Sequence, residues 1–480
     1  MSLREGFPLT EPLIEVQDLT KFFPVKIPAL QRLLTKEPPV VHAVDGVSFT
    51  LPKEEIFGLV GESGCGKTTV GRTVLRLVEP TSGVLRFEGI DITHMKEAEL
   101  RPLRKSMQIV FQDPHASLNP AMTIGQSIAD PLLIHEIASE AEAKEEALRI
   151  MTEVGLSPSD QLYTKYPADL SGGQKQRAVI ARAVILKPKF IVADEPVAML
   201  DMSIRARILE LMLELKHKYG LTYLFITHDL ATAKFICDRI AIMYLGRIVE
   251  VGDAREIYRD PKHPYTQALL GAIPVPDPDR RRAKALPKGE VPDAIHPPAG
   301  CRFHPRCPVA TPECGWEPVD VFEVLDKRAL DEKTERRDEE VLGTRDRMRL
   351  DTLTLRLRPV EAGLSRLERK RLGRFVFLAG LPFLTVAPVL GAAVWACGLL
   401  TIGATHALAR RDAFRTGRVG AGAERAVAHL PEVLRTGGEA LVQAVRRIGI
   451  VDDEVVVEFA PTADPGLRKV DGREVRCVLY

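Results

Sequence analysis

The stretch GESGCGKT at residues 61–68 constrains this chain more than any other. It fits the pattern G-x-x-x-x-G-K-[ST] and lies between an apolar run, Ile56 to Val60, and a helix-like segment, TVGRTVLRLV at 69–78. Strand, loop and helix in that order are the context the pattern needs. Its glycines let successive backbone N–H groups converge on phosphate oxygens, and the helix N-terminus adds the positive end of its dipole. Lys67 then reaches the β- and γ-phosphates, and the Thr68 hydroxyl is placed for Mg²⁺. The expected fold class is α/β.

A second apolar strand, FIVADE at 190–195, ends in two acids. Buried strands rarely end in adjacent carboxylates without a cation or a proton to handle. Asp194 is placed to hold Mg²⁺ through water, and Glu195 lies one residue further into the site. Between the two motifs comes LSGGQKQR at 170–177, leading into a helix-like AVIARAVIL at 178–186. A Ser-Gly-Gly entry to a helix is another anion-binding N-terminus. One nucleotide does not need two such sites, so the second is expected to serve the nucleotide of another subunit.

Together these residues resemble the ATP-binding subunits of ABC transporters. The resemblance rests on the loop at 61–68, LSGGQ at 170–174, IVADE at 191–195, Leu200 and Asp201 as the D-loop, Gln112 in FQDP and His228 in ITHD, and it covers roughly residues 12–275. It implies an ABC-type P-loop ATPase with a RecA-like core, an antiparallel β subdomain and a helical subdomain. It also implies a head-to-tail dimer with two ATP molecules at the interface. ATP would be held by Gly61, Ser63, Gly64, Cys65, Gly66, Lys67, Thr68 and Thr69, with Phe23 stacked on adenine and Phe22 as the neighbouring candidate. Thr68, Gln112 and Asp194 would attend Mg²⁺. Leu170, Ser171, Gly172, Gly173 and Gln174 would face the partner's ATP. Glu195 would be the general base, His228 would contact the γ-phosphate, and Gln112 would couple the site to a transmembrane partner.

FQDPHASLNPAMT at 111–123, HPYTQALLGAIP at 263–274, LPKGEVP at 286–292 and PPAGCRFHPRCP at 297–308 look like the oligopeptide/dipeptide importer ATPases. The long stretch between Pro24 and VHAVDGVS (41–48) resembles the second of the two ATPases such systems carry. The implied partners are a second ATPase subunit (a heterodimer favoured over a homodimer), two transmembrane permeases and, indirectly, an extracytoplasmic solute-binding protein. Nucleic acid is not expected: the formal net charge of +1 argues against an extended polyanion-binding surface. The alternatives are a nickel, glutathione or oligosaccharide importer ATPase, or a soluble ABC ATPase that remodels a nucleic-acid or ribosomal assembly. The polar N-terminus MSLREGFPLTEP is not a secretory signal, and the expected place is the cytoplasmic face of the cell membrane.

The seven cysteines show no disulfide framework. Cys301, Cys307 and Cys314 resemble the family's C-terminal cysteines, some sets of which hold a [4Fe–4S] cluster. The segment where the family's fourth ligand falls has no cysteine, whereas EVRCVLY at 474–480 resembles the family's closing segment. Cys477 is therefore the expected fourth ligand, displaced by an insertion. Alternatives are Zn²⁺ held by Cys301, His304, Cys307 and Cys314, or an unoccupied remnant.

A chain of 480 residues is expected to form two or three domains. The expected division is an ATPase domain at 1–275, a Cys-rich extension at 276–318, an α-rich insertion at 319–470 and a closing segment at 471–480. Within the insertion, Phe375 to Ala409 contains no Asp, Glu, Lys or Arg, and arginines and lysines flank both ends. Cytoplasmic flanks on both sides favour a hydrophobic hairpin at 375–409 that dips into the membrane; a buried helical pair is the alternative. The run DKRALDEKTERRDEEV at 326–341 is expected as a solvated helix with i,i+4 pairs. AERAVAHLPEVL (423–434) and GEALVQAVRR (438–447) are expected as amphipathic helices, and VVVEF (455–459) and VRCVL (475–479) as strands.

Overall fold

A computed structural model describes residues 12–26, 38–273, 289–329, 331–342, 348–351, 354–357, 421–451, 454–460 and 464–479. The expected hydrophobic hairpin at 375–409 lies outside the described residues. Among the described residues, no helix is long and apolar enough to cross a membrane. The chain divides into two compact units, one comprising 1–297, 301–309 and 465–480, the other 298–300 and 310–464.

The first unit contains two sheets. Strands β1 (Ile14–Pro24), β2 (Val40–Leu51), β4 (Ser82–Phe87) and β5 (Ile90–Asp91) form an antiparallel sheet in the order β2-β1-β4-β5. The second sheet is built on β3 (Ile56–Val60), β6 (Met107–Val110), β7 (Phe190–Asp194) and β8 (Thr222–Thr227), which run parallel in the order β3-β8-β7-β6. Every residue of β3, β7 and β8 is buried, as expected of apolar runs with both faces covered. β9 (Arg239–Tyr244) pairs parallel with β3, and β10 (Arg247–Asp253) returns antiparallel along β9.

A helical layer forms between β6 and β7, including Ile124–Ile134, Glu140–Glu153 and Gly172–Val184. In Glu140–Glu153 the buried positions are Ala143, Ala147, Ile150 and Met151, the one-sided spacing of an amphipathic helix. Ser139 caps that helix: its N–H donates to Glu142 Oε2 at 2.8 Å, and its hydroxyl accepts from the Glu142 N–H at 3.5 Å.

Among its described residues the second unit holds four α-helices, Pro318–Arg328, Glu332–Leu342, Ala421–Thr436 and Glu439–Ala444, and also strands beyond the one expected at 455–459. It carries a four-stranded antiparallel sheet, β11 (Met348–Asp351), β12 (Thr354–Leu357), β13 (Val445–Val451) and β14 (Glu454–Phe459), in the order β11-β12-β14-β13. Leu355 and Leu357 alternate inward, as do Val455, Val457 and Phe459, and they form a core with the apolar side of helix Ala421–Thr436. The expected helix at 438–447 stops at Ala444, because β13 begins at Val445 and takes its hydrogen bonds from β14. The charged run at 326–341 falls on two helices, Pro318–Arg328 and Glu332–Leu342. It is not simply a solvated face: Asp338 is buried between Arg328 Nε at 2.7 Å and His429 Nε2 at 2.8 Å. These partners are tertiary, so periodicity along one helix could not indicate them.

The chain then returns to the first unit. β15 (Arg468–Val470) and β16 (Arg473–Val475) form a hairpin, and β16 pairs antiparallel with β10, Glu250 opposite Val475. This completes an eight-stranded sheet, β15-β16-β10-β9-β3-β8-β7-β6. The strand expected over 475–479 ends at Val475; the Arg476 N–H still bonds the Val249 carbonyl at 2.9 Å.

Candidate active site

Four neighbouring parallel strands end on the same side of the sheet, and each end delivers a residue singled out from the sequence. β3 runs into the loop at 61–66, β6 leads to Gln112, β7 ends at Asp194 beside Glu195, and β8 leads to His228. The carboxyl ends of parallel strands are where open α/β sheets place their ligands.

Gly66 opens the helix Lys67–Val74 with φ of 106°, a conformation L side chains rarely adopt. A Cβ there would lie 2.0 Å from the Ala43 carbonyl oxygen, which is backbone and cannot swing away. Gly66→Ala is expected to weaken MgATP binding at least about a hundredfold, since the loop must unfold locally to accept the methyl group. Titration calorimetry would check this, and a Kd within threefold of the unsubstituted protein would refute it. Lys67 is buried and folds back on the loop, its Nζ donating to the Gly61 carbonyl at 2.8 Å and the Glu62 carbonyl at 2.9 Å. Cys65 is also buried, and burial pushes its thiol pKa up, so its place in the loop is packing and not nucleophilic chemistry. Ser63 and Gly64 form the exposed tip, and Thr69 is half-buried.

Thr68 Oγ1 donates to Asp194 Oδ1 at 3.0 Å, joining the two residues expected around Mg²⁺. Burial raises the Asp194 pKa against the opposing hydrogen bond from Thr68. A desolvated carboxylate beside a hydroxyl suits a hard divalent cation, so these residues fit Mg²⁺. Glu195 Oε2 receives Gln112 Nε2 at 3.1 Å and lies 3.0 Å from His228 Nδ1. Glu195 has φ of 48°, an uncommon left-handed turn for a side-chain-bearing residue, and its N–H is fixed by the Ile226 carbonyl at 2.9 Å. Thus the three residues expected to be catalytic meet on one carboxylate oxygen.

Ser171 caps the helix Gly172–Val184; its N–H donates to Gln174 Oε1 at 2.9 Å, and its hydroxyl accepts from the Gln174 N–H at 3.3 Å. Ser171 and Gly172 are exposed, while Leu170 and Gly173 are buried and hold the entry in place. Asp201 is exposed at the start of helix Met202–Tyr219, flanked by exposed Met199 and Met202. At the end of β1, Phe23 is the more open aromatic, whereas Phe22 packs on His42 with ring centroids 4.3 Å apart.

Cys301, Cys307 and Cys477 belong to the first unit and Cys314 to the second. His263 lies beside one of these thiols and is bonded to the closing segment. Its Nε2 lies 4.0 Å from Cys301 Sγ, and its ring is hydrogen-bonded to the backbone of Arg476, the neighbour of Cys477. Burial holds this imidazole neutral, with its pKa lowered to about 3, and Nδ1 accepts from the Tyr265 N–H at 3.1 Å. Cys314 Sγ accepts from the Thr311 N–H at 3.3 Å. Among the described residues, no three His, Cys, Asp or Glu side chains are grouped as metal ligands would be.

The sequence reading missed how the Cys-rich turn meets the phosphate loop. Arg306 Nη1 donates to Glu62 Oε2 at 3.0 Å, and Tyr265 OH accepts the Glu62 N–H at 3.0 Å. The tyrosine of HPYTQALL was the only local signal, because an arginine between two cysteines reads as ordinary surface charge.

The fold and site define an ATPase of the ABC class. Residues 44–198 match the family model described as ABC transporter, and residues 249–314 match that of the oligopeptide/dipeptide transporter C-terminal region. The chain is 47% identical over 307 residues to the oligopeptide transport ATP-binding protein AppF of Bacillus subtilis, covering 63% of this chain and 92% of that protein. It is 45% identical over 322 residues to a probable peptide ABC transporter ATP-binding protein, y4tS, of Sinorhizobium fredii, covering 67% and 90%. The oligopeptide transport ATP-binding protein OppF of Salmonella typhimurium is 47% identical over 305 residues, covering 63% and 90%. The chain belongs to the family of ABC transporter ATP-binding proteins that carry the oligopeptide/dipeptide transporter C-terminal region.

Proposed function

We propose that this protein is the ATP-hydrolysing subunit of a peptide importer, working at the cytoplasmic face of the membrane beneath two permease subunits. The observation that carries the reading is the meeting of Gln112 and His228 on Glu195, beside Thr68 and Asp194. Water attacks the γ-phosphorus and loses its proton to Glu195, while the bond from the γ-phosphorus to the ADP oxygen breaks. His228 contacts the γ-phosphate and holds Glu195 in place. Lys67 leaves the loop carbonyls for the β- and γ-phosphates; Thr68 and Asp194, with Gln112 nearby, would hold Mg²⁺, which would supply neutralisation of phosphate charge.

The exposed entry at Ser171 and Gly172, with Gln174 behind it, faces the partner's ATP, and exposed Met199 and Met202 beside Asp201 suit a covered dimer surface. A second, different ATPase chain is the favoured partner. Exposed Leu133, Ile134 and Ile137 in the helical layer suit docking to a permease, and Gln112 reports the site's state to it. Purification of the intact complex tests this assignment. Two hydrophobic permeases and peptide-stimulated ATP hydrolysis are expected; ribosomes or nucleic acid in their place would overturn it, and a nickel, glutathione or oligosaccharide requirement would change the solute.

We propose further that residues 310–464 are an insertion between the family's C-terminal region and its closing segment. Support comes from their separate core and from the third of the chain that lies outside the alignment with y4tS. The hydrophobic run at 375–409 is the part proposed to enter the membrane. The soft thiolate chemistry of Cys301, Cys307, Cys314 and Cys477 and the resemblance of their sequence context to the family's cysteines support their assignment to a [4Fe–4S] cluster. Anaerobically purified protein is expected to be coloured and to hold about four irons, with Cys477→Ser losing most of both. Colourless protein with stoichiometric zinc would replace this assignment by the zinc site.

A further inference from the structure

A carboxylate in the second position of a phosphate-binding loop is an electrostatic contradiction. Glu62 stands in GESGCGKT with its side chain 28% exposed, next to the place where a polyphosphate must bind. Its backbone is committed: the N–H donates to Tyr265 OH at 3.0 Å, and the carbonyl accepts from Lys67 Nζ at 2.9 Å. The backbone of Glu62 is therefore fixed beside the site.

Its charge is met from the Cys-rich region. Arg306 reaches Glu62 with both terminal nitrogens, Nη1 to Oε2 at 3.0 Å and Nη2 to Oε1 at 3.4 Å. The arginine side chain is only 9% exposed, and its guanidinium lies 5.8 Å from the Tyr244 ring centroid and 6.0 Å from that of Phe303. Nη1 also donates to Tyr244 OH at 3.3 Å. The backbone that presents it is a tight 3-10 turn, His304–Arg306, in which the Arg306 N–H bonds the Phe303 carbonyl at 3.0 Å and the Cys307 N–H bonds that of His304 at 3.2 Å. Phe303 is fully buried against Tyr244 and Tyr265, with ring centroids 5.3 and 5.2 Å away. A planar fork fixed this way is suited to a permanent bidentate pair.

We propose that Arg306 is the counter-ion of the phosphate loop, a positioning residue that neutralises Glu62 so that the loop accepts a polyphosphate. The turn between Cys301 and Cys307 is then part of the nucleotide site's supporting wall. This rests on the reading of residues 61–68 as the ATP site. Without Arg306, Glu62 repels the incoming phosphates and pulls Lys67 toward itself. The repulsion grows with the ligand's charge, so MgATP suffers more than MgADP. Removing both charges together removes the conflict.

Calorimetric titration of the full chain with MgATP and MgADP tests the proposal. Arg306→Gln is expected to weaken MgATP binding about tenfold and MgADP binding by less. Arg306→Lys recovers most of the loss, and Glu62→Gln binds MgATP at least as tightly as the unsubstituted protein. The Glu62→Gln/Arg306→Gln double variant returns to within about threefold of it, a non-additivity that loss of turn packing cannot produce. A double variant as weak as Arg306→Gln, or an Arg306→Gln protein with unchanged affinity, would overturn the proposal. If Arg306→Gln does not fold, Glu62→Gln decides alone, and tenfold weaker binding there overturns it. Failure of the unsubstituted protein to bind MgATP would instead remove the underlying assignment of the loop.

Discussion

Glu195→Gln should lower ATP turnover by roughly 10²–10⁴-fold while MgATP binding stays within about threefold of the parent protein. The amide has nearly the same shape as the carboxylate and still offers an oxygen to Gln112 and His228, so the strand ends at β6, β7 and β8 need not move. What is lost is the capacity to take a proton from the attacking water. The charge next to Asp194 is also lost, and that slightly favours ATP, because the amide no longer repels the incoming phosphates. Phosphate release and nucleotide affinity, measured on the same preparation, separate the two effects. Hydrolysis within a few-fold of the parent rate would show that the proton leaves by another route.

Arg473→Met should destabilise the first unit by about 3–5 kcal/mol, the range for breaking a buried ion pair from one side. Glu250 is fully buried in the middle of β10, and Arg473 is 4% exposed on β16, with Nη1 and Glu250 Oε1 3.5 Å apart. The glutamate also accepts the Lys262 N–H at 3.0 Å and the His263 N–H at 2.9 Å, so it cannot turn out to solvent without releasing the segment that carries His263. The arginine in turn donates to the Asp260 carbonyl at 2.5 Å. Methionine fills the stem's volume but leaves a buried carboxylate without its cation. Urea unfolding measures the loss, and limited proteolysis should cut first near the β15–β16 hairpin. Adding Glu250→Gln should recover part of the stability, since the lone charge is then gone. A single variant within 1 kcal/mol of the parent would show that the closing hairpin is held by its strand pairing instead.

The phosphate loop, the acidic strand end and the Ser-Gly-Gly helix entry were legible because each works through consecutive backbone atoms. A glycine at φ of 106° or a serine capping its own helix leaves a fixed trace along the chain. Helices with one apolar side, such as Glu140–Glu153, were legible for the same local reason. The sheet inside the insertion was not legible, because short strands such as Thr354–Leu357 offer too few residues to show alternation. Its charged run looked solvated because the partners of Asp338 lie on two other helices, at Arg328 and His429.

By itself the sequence determined the chemistry of this protein: which residues line the phosphates, which carboxylate stands ready as base, and which soft ligands are available. Tertiary structure alone decided what those residues meet. It placed Gln112 and His228 on the same oxygen of Glu195, returned the closing hairpin to β10, and set Arg306 against Glu62. The physical reason is range. Backbone geometry acts over a few residues and is written in order along the chain, whereas charge pairing and sheet pairing act through space between segments that the sequence separates by tens or hundreds of positions.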